Sequence, residues 1–212
     1  MLGRAAVVIW FDVAPGDKAE FDDWHTHEHM PERLGIPGFR RGSRWLAADG
    51  GEGYFNLYEA DNLATISSGP YLERLNNPTP WSRKMMPRHR NMVRSLCEIR
   101  ASHGAGLGPF LLTLRFAPGS AGLEAVSSND CLAALPGTKG IAAAHLLKAD
   151  NTKLATQTTE QKIRGGDGTA DWIVLVTGYE RSAIADVSAD LEADAIAGIY
   201  ALGYMLVGGE RP

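Results

Sequence analysis

The sequence predicts an α+β fold built from two similar halves, each with the element order βαββαβ. Two observations lead to this prediction. The strand pattern AAVVIWFDV near the N-terminus returns about a hundred residues later as PFLLTLRFAPG, and a Pro-Gly turn follows both. The elements that come after each strand also repeat in the same order. This order in roughly 100 residues is typical of a ferredoxin-like unit, an antiparallel sheet covered on one face by two helices.

The strands of the two halves correspond one by one. Apolar residues alternate in both first strands, as expected for strands. The second strands, in LGIPGFRRGSRWLAAD and AALPGTKGIAAAHLLKAD, follow a Pro-Gly turn and end in Ala-Asp. The third strands lie in GYFNLYEADN and DWIVLVTGYE, and each is followed by a helical stretch. The closing strands lie in NMVRSLCEIR and IAGIYALGYML.

These correspondences divide the chain into two units, residues 1–104 and 105–212. The connection ASHGAGLGP, residues 101–109, is rich in small residues, as a linker should be. We expect the two open sheet faces to pack against each other. The polar segment NTKLATQTTEQKIRGGDGT, residues 151–169, has no counterpart in the first half, and we interpret it as an extended hairpin or a mobile loop.

Composition excludes several classes of protein. The net charge is -4 and the cationic residues are scattered, so nucleic acid is not an expected partner. No apolar run approaches the ~20 residues that span a bilayer, and the N-terminus lacks a signal core, so we expect a cytoplasmic protein without a membrane partner. Cys97 and Cys131 have no metal-ligand spacing, and two thiols do not make a disulfide framework.

The chemistry-bearing residues are distributed unevenly between the halves. Residues 1–104 contain five of the six histidines, four of the five tryptophans and 11 of the 15 arginines. We therefore expect the first unit to carry the site. The second unit is then a structural copy that is degenerate in site residues.

The most unusual stretch is WHTHEHMPERLGIPGF, residues 24–39, with three histidines around a glutamate. We predict a helix that begins near Asp17, the candidate N-cap, with Glu20 three residues on as in a capping box. Pro31 cannot donate a helical hydrogen bond and disfavours helical angles in the residue before it, so the helix should end or kink near Met30.

On this helix Glu28 projects to the same side as His25, with His29 close beside it and His27 turned away. A carboxylate beside Phe21 and Trp24 should be partly desolvated, which makes it a candidate proton carrier. Histidines at a helix C-terminus feel the macrodipole, which favours their protonated form. The cluster therefore predicts an acid/base set of His25, Glu28 and His29.

Two other interpretations of the cluster stay open. His25-Thr26-His27-Glu28-His29 matches the H-x-x-E-H pattern of inverted zinc proteases, so His25, Glu28 and His29 could instead hold a divalent metal or a haem. A five-residue match has low specificity, and a protease would need a third ligand held by a much larger scaffold. In the other interpretation, Glu28 simply pairs with a histidine or an arginine in a buried polar network.

The segment FDDWHTHEHMPERLGIPGF resembles the EthD-like branch of the dimeric α+β barrel superfamily. Members carry a first helix that ends in an aromatic pair, then Glu-His, Pro and a Pro-Gly-Phe turn. The matching positions here are Trp24, Glu28, His29, Pro31 and Pro37-Gly38-Phe39, whereas His25 replaces the usual tyrosine. The resemblance covers the first half well, and the second half only in its element order and its Pro136-Gly137 turn.

This resemblance implies two ferredoxin-like units packed sheet to sheet into a barrel, usually across a homodimer. A tandem chain would be the fused version, and whether two fused chains pair again is left open. The superfamily includes cofactor-independent monooxygenases, polyketide cyclases, muconolactone isomerases and haem-dependent enzymes, so the fold does not choose the reaction.

Further candidate site residues lie in two places. The proline-rich stretch of residues 67–95 contains Trp81, Arg83 and His89, which could line a cavity. Arg41 and Arg44 lie on opposite faces of the second strand, and an inward arginine would bind an anion. We select Arg44, with Trp24, for substrate binding.

The resulting hypothesis is an enzyme without a cofactor that moves a proton on an aromatic or polyketide-like small molecule. Glu28 or His29 would abstract the proton, His25 would orient or protonate the substrate, and an arginine would hold the anion. The reaction could be oxygenation, isomerisation or cyclisation. The alternatives are a metal- or haem-binding protein that uses the same three residues, and a non-catalytic ligand-binding protein.

Overall fold

A computed structural model describes residues 1–48, 53–127, 129–150 and 157–209. Eight antiparallel strands form a closed barrel in the order β1-β3-β2-β8-β5-β7-β6-β4. The strands are β1 (Ala5–Asp12), β2 (Phe39–Ala47), β3 (Tyr54–Ala60), β4 (Arg90–His103), β5 (Phe110–Phe116), β6 (Ile141–Ala149), β7 (Trp172–Gly178) and β8 (Ala195–Val207).

Each half of the chain contributes four neighbouring strands to the barrel. The first half gives β4-β1-β3-β2 and the second gives β8-β5-β7-β6, which is the same order of fourth, first, third and second strand. The two junctions are equivalent, because β2 pairs with β8 and β6 pairs with β4. The predicted α+β fold of two ferredoxin-like units in one fused barrel is therefore confirmed.

The helices lie outside the barrel and belong to the segments between strands. They are α1 (Lys18–Trp24), α2 (Met30–Leu34), α3 (Gly69–Asn76), α4 (Pro80–Met85), α5 (Ala121–Ser127), α6 (Asn129–Ala134), α7 (Thr159–Arg164) and α8 (Arg181–Leu191). A π-helical turn, His25–His29, joins α1 to α2. Among the described residues, no helix has the length and apolar character needed to cross a membrane.

The barrel interior is filled by side chains. Val8 and Trp10 of β1 point inward and pack with Trp45, Phe55 and other apolar residues from both halves. The Trp10 and Phe55 rings lie 5.0 Å apart, and the Trp10 indole N–H donates to Thr113 Oγ1 at 3.1 Å. A packed interior leaves ligand binding to the outer faces, beneath the helices.

The outer face of each half-sheet is covered by the helices of its own half, and α7 of the second half also packs on the first half-sheet. Val7, Ile9 and Phe11 of β1 pack against Phe21 and other residues of the first-half helices. In the second half, Leu112 and Leu114 of β5 pack against residues of α5, α6 and α8. Since both faces are covered, β1 is apolar from Ala5 to Phe11 and does not alternate with charges there.

Two predicted boundaries differ from the structure. β4 continues through His103, so the first three residues of the expected linker belong to a strand. The polar segment expected to be a hairpin or mobile loop instead contains α7, and its residues 151–156 lie outside the described residues. Beyond α7, the Gly168 N–H donates to the Met92 carbonyl at 2.8 Å, which attaches the segment to β4.

Candidate functional site

The helix that carries the histidine cluster does not end at Pro31. It passes through the π turn, where the Met30 N–H donates to the His25 carbonyl five residues back, and continues to Leu34. Of the two alternatives expected near Met30, the end of the helix is therefore wrong, and the kink stays a prediction. A π turn shifts the hydrogen-bond register, and Pro31 then lies in the first turn of α2, where a missing N–H costs no helical bond.

The predicted capping box at the start of this helix is also wrong. Asp17 occupies the N-cap position, but its side chain makes no capping hydrogen bond. Its carboxylate lies 3.5 Å from an Arg88 guanidinium nitrogen, and the Glu20 carboxylate binds the Lys84 ammonium at 2.5 Å. Asp17 and Glu20 therefore interact with Arg88 and Lys84 and do not cap the N-terminus of the helix.

A cavity lies between the outer face of the first half-sheet, the π turn, α3 and α7. Its volume is about 30 Å³, which is room for water but not for an aromatic molecule. The polar residues of its wall are His25, His29, Arg33, Asn56, Tyr58, Tyr71, His89, Arg94, Glu160 and Arg164. Thus two strands, the histidine turn and a helix of the second half supply polar groups to one enclosed space.

His25 is buried and anchored to β3. Its Nε2 lies 2.9 Å from Asn56 Nδ2 and 3.0 Å from Tyr58 Oη. An amide N–H only donates, so Nε2 is the acceptor and the ring proton is on Nδ1. Nδ1 is buried without a hydrogen-bond partner among the described residues. Burial, with Arg44 nearby, holds the pKa of His25 well below its ordinary value, so the ring is neutral.

His29 is the least constrained of the cavity histidines. Its ring lies on the Trp24 indole with centroids 4.5 Å apart, and 5.5 Å from the His25 ring. No hydrogen bond to His29 is formed by the described residues, and its Nδ1 is buried. Burial, with the Arg33 guanidinium next in effect, holds the pKa of His29 well below its ordinary value. A neutral imidazole with a free lone pair therefore faces the cavity.

His89 completes the histidine side of the wall. Its Nδ1 donates to the Met86 carbonyl at 3.1 Å, which leaves Nε2 as an acceptor. The ring packs against Phe11 and Phe21 at centroid distances of 4.7 and 5.0 Å. Burial lowers the pKa of His89 to about 3. All three histidines of the wall are therefore neutral near pH 7.

The opposite side of the wall is cationic. The Arg33 guanidinium, 3% exposed, donates to the Glu160 carboxylate, which is 2% exposed. Arg164 lies 3.6 Å from the second Glu160 oxygen and binds Asp167 at 2.9 Å. Another nitrogen of Arg33, Nη1, is buried without a hydrogen bond, although the Glu32 carboxylate lies 3.5 Å from it. The cavity is therefore suited to an anion.

Glu28 does not face this cavity, and the expectation that it shares the wall with His25 and His29 is wrong. Its Oε1 accepts from the Trp24 indole at 3.1 Å, Thr79 Oγ1 at 2.5 Å and Ser82 Oγ at 3.1 Å. Thr79 and Ser82 belong to the start of α4, so the carboxylate fastens the histidine helix to α4. This supports the interpretation of Glu28 as part of a polar network.

The structure also separates the predicted substrate-binding residues. His89 lines the cavity, whereas Trp24, Arg44, Trp81 and Arg83 do not. Arg44 donates to the Asp22 carbonyl at 3.0 Å, Arg83 is exposed, and Trp81 is partly buried against the apolar core. Trp24 acts indirectly, as the surface on which His29 stacks. As predicted, Arg41 lies on the other face of β2, paired with Glu59 inside the barrel.

The alternative metal site of His25, Glu28 and His29 does not fit the observed arrangement of these residues. No group of three or more His, Cys, Asp or Glu side chains in the described part of the chain is arranged to hold a metal ion. Glu28 is directed to α4, and His25 Nε2 is used by Asn56 and Tyr58.

Sequence reasoning missed Arg33, Asn56, Tyr58, Arg94 and the α7 pair Glu160 and Arg164. Asn56 had a usable signal, since it is the polar residue at an outward position between Tyr54 and Tyr58. α7 also had one, since Thr158 and Gln161 form a capping box and Gly165 ends the helix with a left-handed conformation, φ 89°. Arg33 and Arg94 carry no local signal that distinguishes them from surface arginines.

Comparison with known proteins gives similarity at the level of structure. No protein-family model and no curated protein matches the chain. An anthrone oxidase-like protein is similar with a TM-score of 0.62 and 13% identity, over 97% of this chain and 93% of that one. A candidate monooxygenase from Fusobacterium nucleatum subsp. nucleatum has a TM-score of 0.58 and 8% identity, over 99% and 97%.

A candidate chlorite dismutase has a TM-score of 0.55 and 12% identity, over 96% of each chain. At identities this low, the structural similarity shows the fold and does not identify the reaction, which depends on the residues of the site. The similarity extends over nearly the whole chain in each case, so it includes both four-stranded halves and not only the half with the histidines. The chain has the fold of the dimeric α+β barrel superfamily, with both ferredoxin-like units in one polypeptide.

Proposed function

We propose that the protein is a cofactor-independent monooxygenase-type enzyme that removes a proton from an acidic, aromatic or polyketide-like small molecule. The observation that carries the proposal is the cavity wall, with neutral His25, His29 and His89 on one side and arginines on the other. Solved structures of the same fold described as anthrone oxidase-like and as a candidate monooxygenase support this reaction class.

His29 is the proposed general base. A base needs a free lone pair facing the substrate, and Nε2 of His25 is already shared by Asn56 and Tyr58. His29 has no such partner among the described residues. Its lowered pKa makes it a weak base, so the substrate must have an acidic proton. An example is a CH₂ group that is flanked by two aromatic rings and conjugated through them to a carbonyl.

The proton transfer creates an ion pair in a site that favours it. The substrate becomes an enolate, and Arg33 Nη1, which has no hydrogen-bond partner among the described residues, can donate to its oxygen. The imidazolium formed on His29 is then stabilised by the same anion. Asn56 and Tyr58 hold His25 at its Nε2, so His25 positions the substrate beside His29 rather than taking the proton.

The oxygenation itself needs dioxygen and no metal or flavin. The carbanion adds to dioxygen, and the resulting peroxide takes the proton back from His29 to give a hydroperoxide. Loss of water from that carbon leaves a ketone. A CH₂ group and O₂ thus become a C=O group and H₂O, so one oxygen atom enters the product and the other leaves as water.

A substrate of this class needs more room than the cavity offers, so part of the wall must move. α7 is the proposed mobile part, because it is six residues long and is followed by Gly165 and Gly166. α7 belongs to the second half of the chain, whereas α2 and α3, which it contacts, belong to the first half. Movement of α7 would open the cavity without disturbing a strand of the barrel.

The experiment uses anthrone as a probe substrate in air-saturated buffer. We expect the protein to consume dioxygen, measured with an oxygen electrode above the protein-free rate, with one anthraquinone formed for each O₂. His29→Gln should lower the rate by about 10²–10⁴-fold, the usual contribution of a general base. His27→Gln is the matched control, because His27 lies on the same turn but is exposed.

Two results would contradict the proposal. One is a His29→Gln variant that keeps the wild-type rate while remaining folded by circular dichroism. The other is conversion of the probe without consumption of dioxygen, which would point to isomerase or cyclase chemistry instead. Glu28→Gln should keep the rate within a few-fold, because its carboxylate faces α4.

A further inference from the structure

Arg94 is a buried cation with a neutral partner. It lies on β4, is 6% exposed, and donates from Nη2 to Tyr71 Oη at 2.7 Å. Among the described residues, no carboxylate lies within ion-pair distance of its guanidinium. Burying a charge without a counter-ion is costly, so this arrangement points to a partner that the protein itself does not supply.

The charges around Arg94 are accounted for by other pairs. Glu160 binds Arg33 and Arg164, Asp167 binds Arg164, and Glu32 lies 3.5 Å from both Arg33 and Arg74. The network therefore contains three carboxylates that are each engaged by another arginine. Asp167 and Glu160 raise the pKa of Arg94 from a distance, but neither forms an ion pair with it.

Arg94 also lies where a ligand would pass. It lines the histidine cavity and a second pocket of about 260 Å³, whose wall includes Ser95, Gln161 and Asp167. The second pocket lies between β4 and the α7 segment. A ligand that extends from the histidines toward the surface therefore meets this guanidinium.

We propose that Arg94 binds a carboxylate of the substrate, so that the protein acts on aromatic acids; this inference rests on the proposed function. A carboxylate matches the planar fork of a guanidinium and keeps its charge throughout the reaction. The enolate formed at the reacting carbon is held separately by Arg33. Asp150 and Asp167 line the outer pocket, so the carboxylate binds on the cavity side of Arg94.

Benzoate and its neutral isostere benzamide serve as probes, and isothermal titration calorimetry measures their binding to the full chain at pH 7. The wild-type protein should bind benzoate at least tenfold more tightly than benzamide. Arg94→Gln should abolish this preference and leave benzamide binding within about threefold. Arg100→Gln is the matched control, because Arg100 lies on the same strand but is exposed.

Arg94→Lys keeps the positive charge but loses the planar guanidinium, so it should retain part of the preference for benzoate over benzamide. This variant serves as the test if Arg94→Gln does not fold. Equal binding of the two probes to the wild-type protein would overturn the inference. So would the absence of saturable benzoate binding up to millimolar concentration, or an unchanged preference in folded Arg94→Gln.

Binding is measured without turnover, so this test is independent of the reaction. If the carboxylate preference depends on Arg94 while His29→Gln keeps its oxygenase rate, the subsite stands and the proposed function fails. If the rate depends on His29 while the probes bind equally, the proposed function stands and the carboxylate subsite is excluded.

Discussion

Glu160→Gln tests whether the second half of the chain holds the first-half site closed. Glu160 lies on α7, is 2% exposed and pairs with Arg33, which is 3% exposed. The variant keeps the volume of the side chain and removes its charge. Arg33 would then be left buried with Glu32 alone, at 3.5 Å.

Breaking a buried ion pair from one side costs about 3–5 kcal/mol. For a chain of this size each kcal/mol lowers Tm by about 2–4 °C, so the expected decrease is roughly 6–20 °C. The matched control is Glu20→Gln, because the Lys84–Glu20 pair has side chains that are 57% and 45% exposed. Solvent screens an exposed pair, so Tm should hardly change.

The assay combines thermal unfolding with hydrogen exchange of residues 159–164. If α7 unfolds together with the barrel, the full cost appears in Tm. If α7 detaches first and lets water reach Arg33, part of the cost appears as faster exchange in that segment alone. The reasoning would be refuted by a Glu160→Gln protein that matches Glu20→Gln in Tm and also exchanges at the wild-type rate in residues 159–164.

Three further outcomes follow from the structure. Trp10→Ala, inside the barrel, should lower the free energy of unfolding in urea by about 3–5 kcal/mol, whereas exposed Ile196→Ala should change it by less than about 1. Thr158→Ala removes the α7 capping box and should speed hydrogen exchange in residues 159–164 by an amount equivalent to about 1 kcal/mol, with exposed Gln157→Ala as the control. Because the pKa of His25 is lowered in the folded protein, the unfolded chain binds more protons than the folded one below about pH 6.5, and the free energy of unfolding falls as the pH falls. When the free energy of unfolding in urea is plotted against pH, the slope for His25→Asn should be smaller than the wild-type slope by at most about 1.4 kcal/mol per pH unit.

The barrel was predictable because its signals are local and occur twice. Alternation in AAVVIWFDV and PFLLTLRFAPG, followed by the same order of turns, fixes the strands of each half before any contact is known. The order of strands then follows from the ferredoxin-like arrangement, and the observed order in each half agrees with it. Closure joins β2 to β8 and β6 to β4, which are the edge strands that each unit leaves open.

The site was predictable only in part because its geometry depends on a π turn and on a segment from the other half. An α-helical wheel places Glu28 beside His25, but three hydrogen-bond donors on Trp24, Thr79 and Ser82 hold the carboxylate toward α4. The macrodipole argument favoured charged histidines, whereas burial outweighs it and lowers the pKa of His25 and His29. Helix geometry and the helix dipole depend on residues close in sequence, so they can be predicted from a local pattern. Burial depends on residues that are distant in sequence.

Fusion of the two units lets them diverge, and the strands show where they have done so. Outward positions of β3 carry Tyr54, Asn56 and Tyr58, which serve the histidine side, while the corresponding strand β7 carries Val174 and Val176 in a plain apolar core. In a symmetric pair of identical chains, every residue that serves one site would also appear at the other.

A fused chain is free of that constraint. The segment containing α7 has no counterpart in the first half, yet it contributes Glu160 and Arg164 to the wall of the first-half cavity. The second unit thus completes the wall of a cavity whose histidines all come from the first unit.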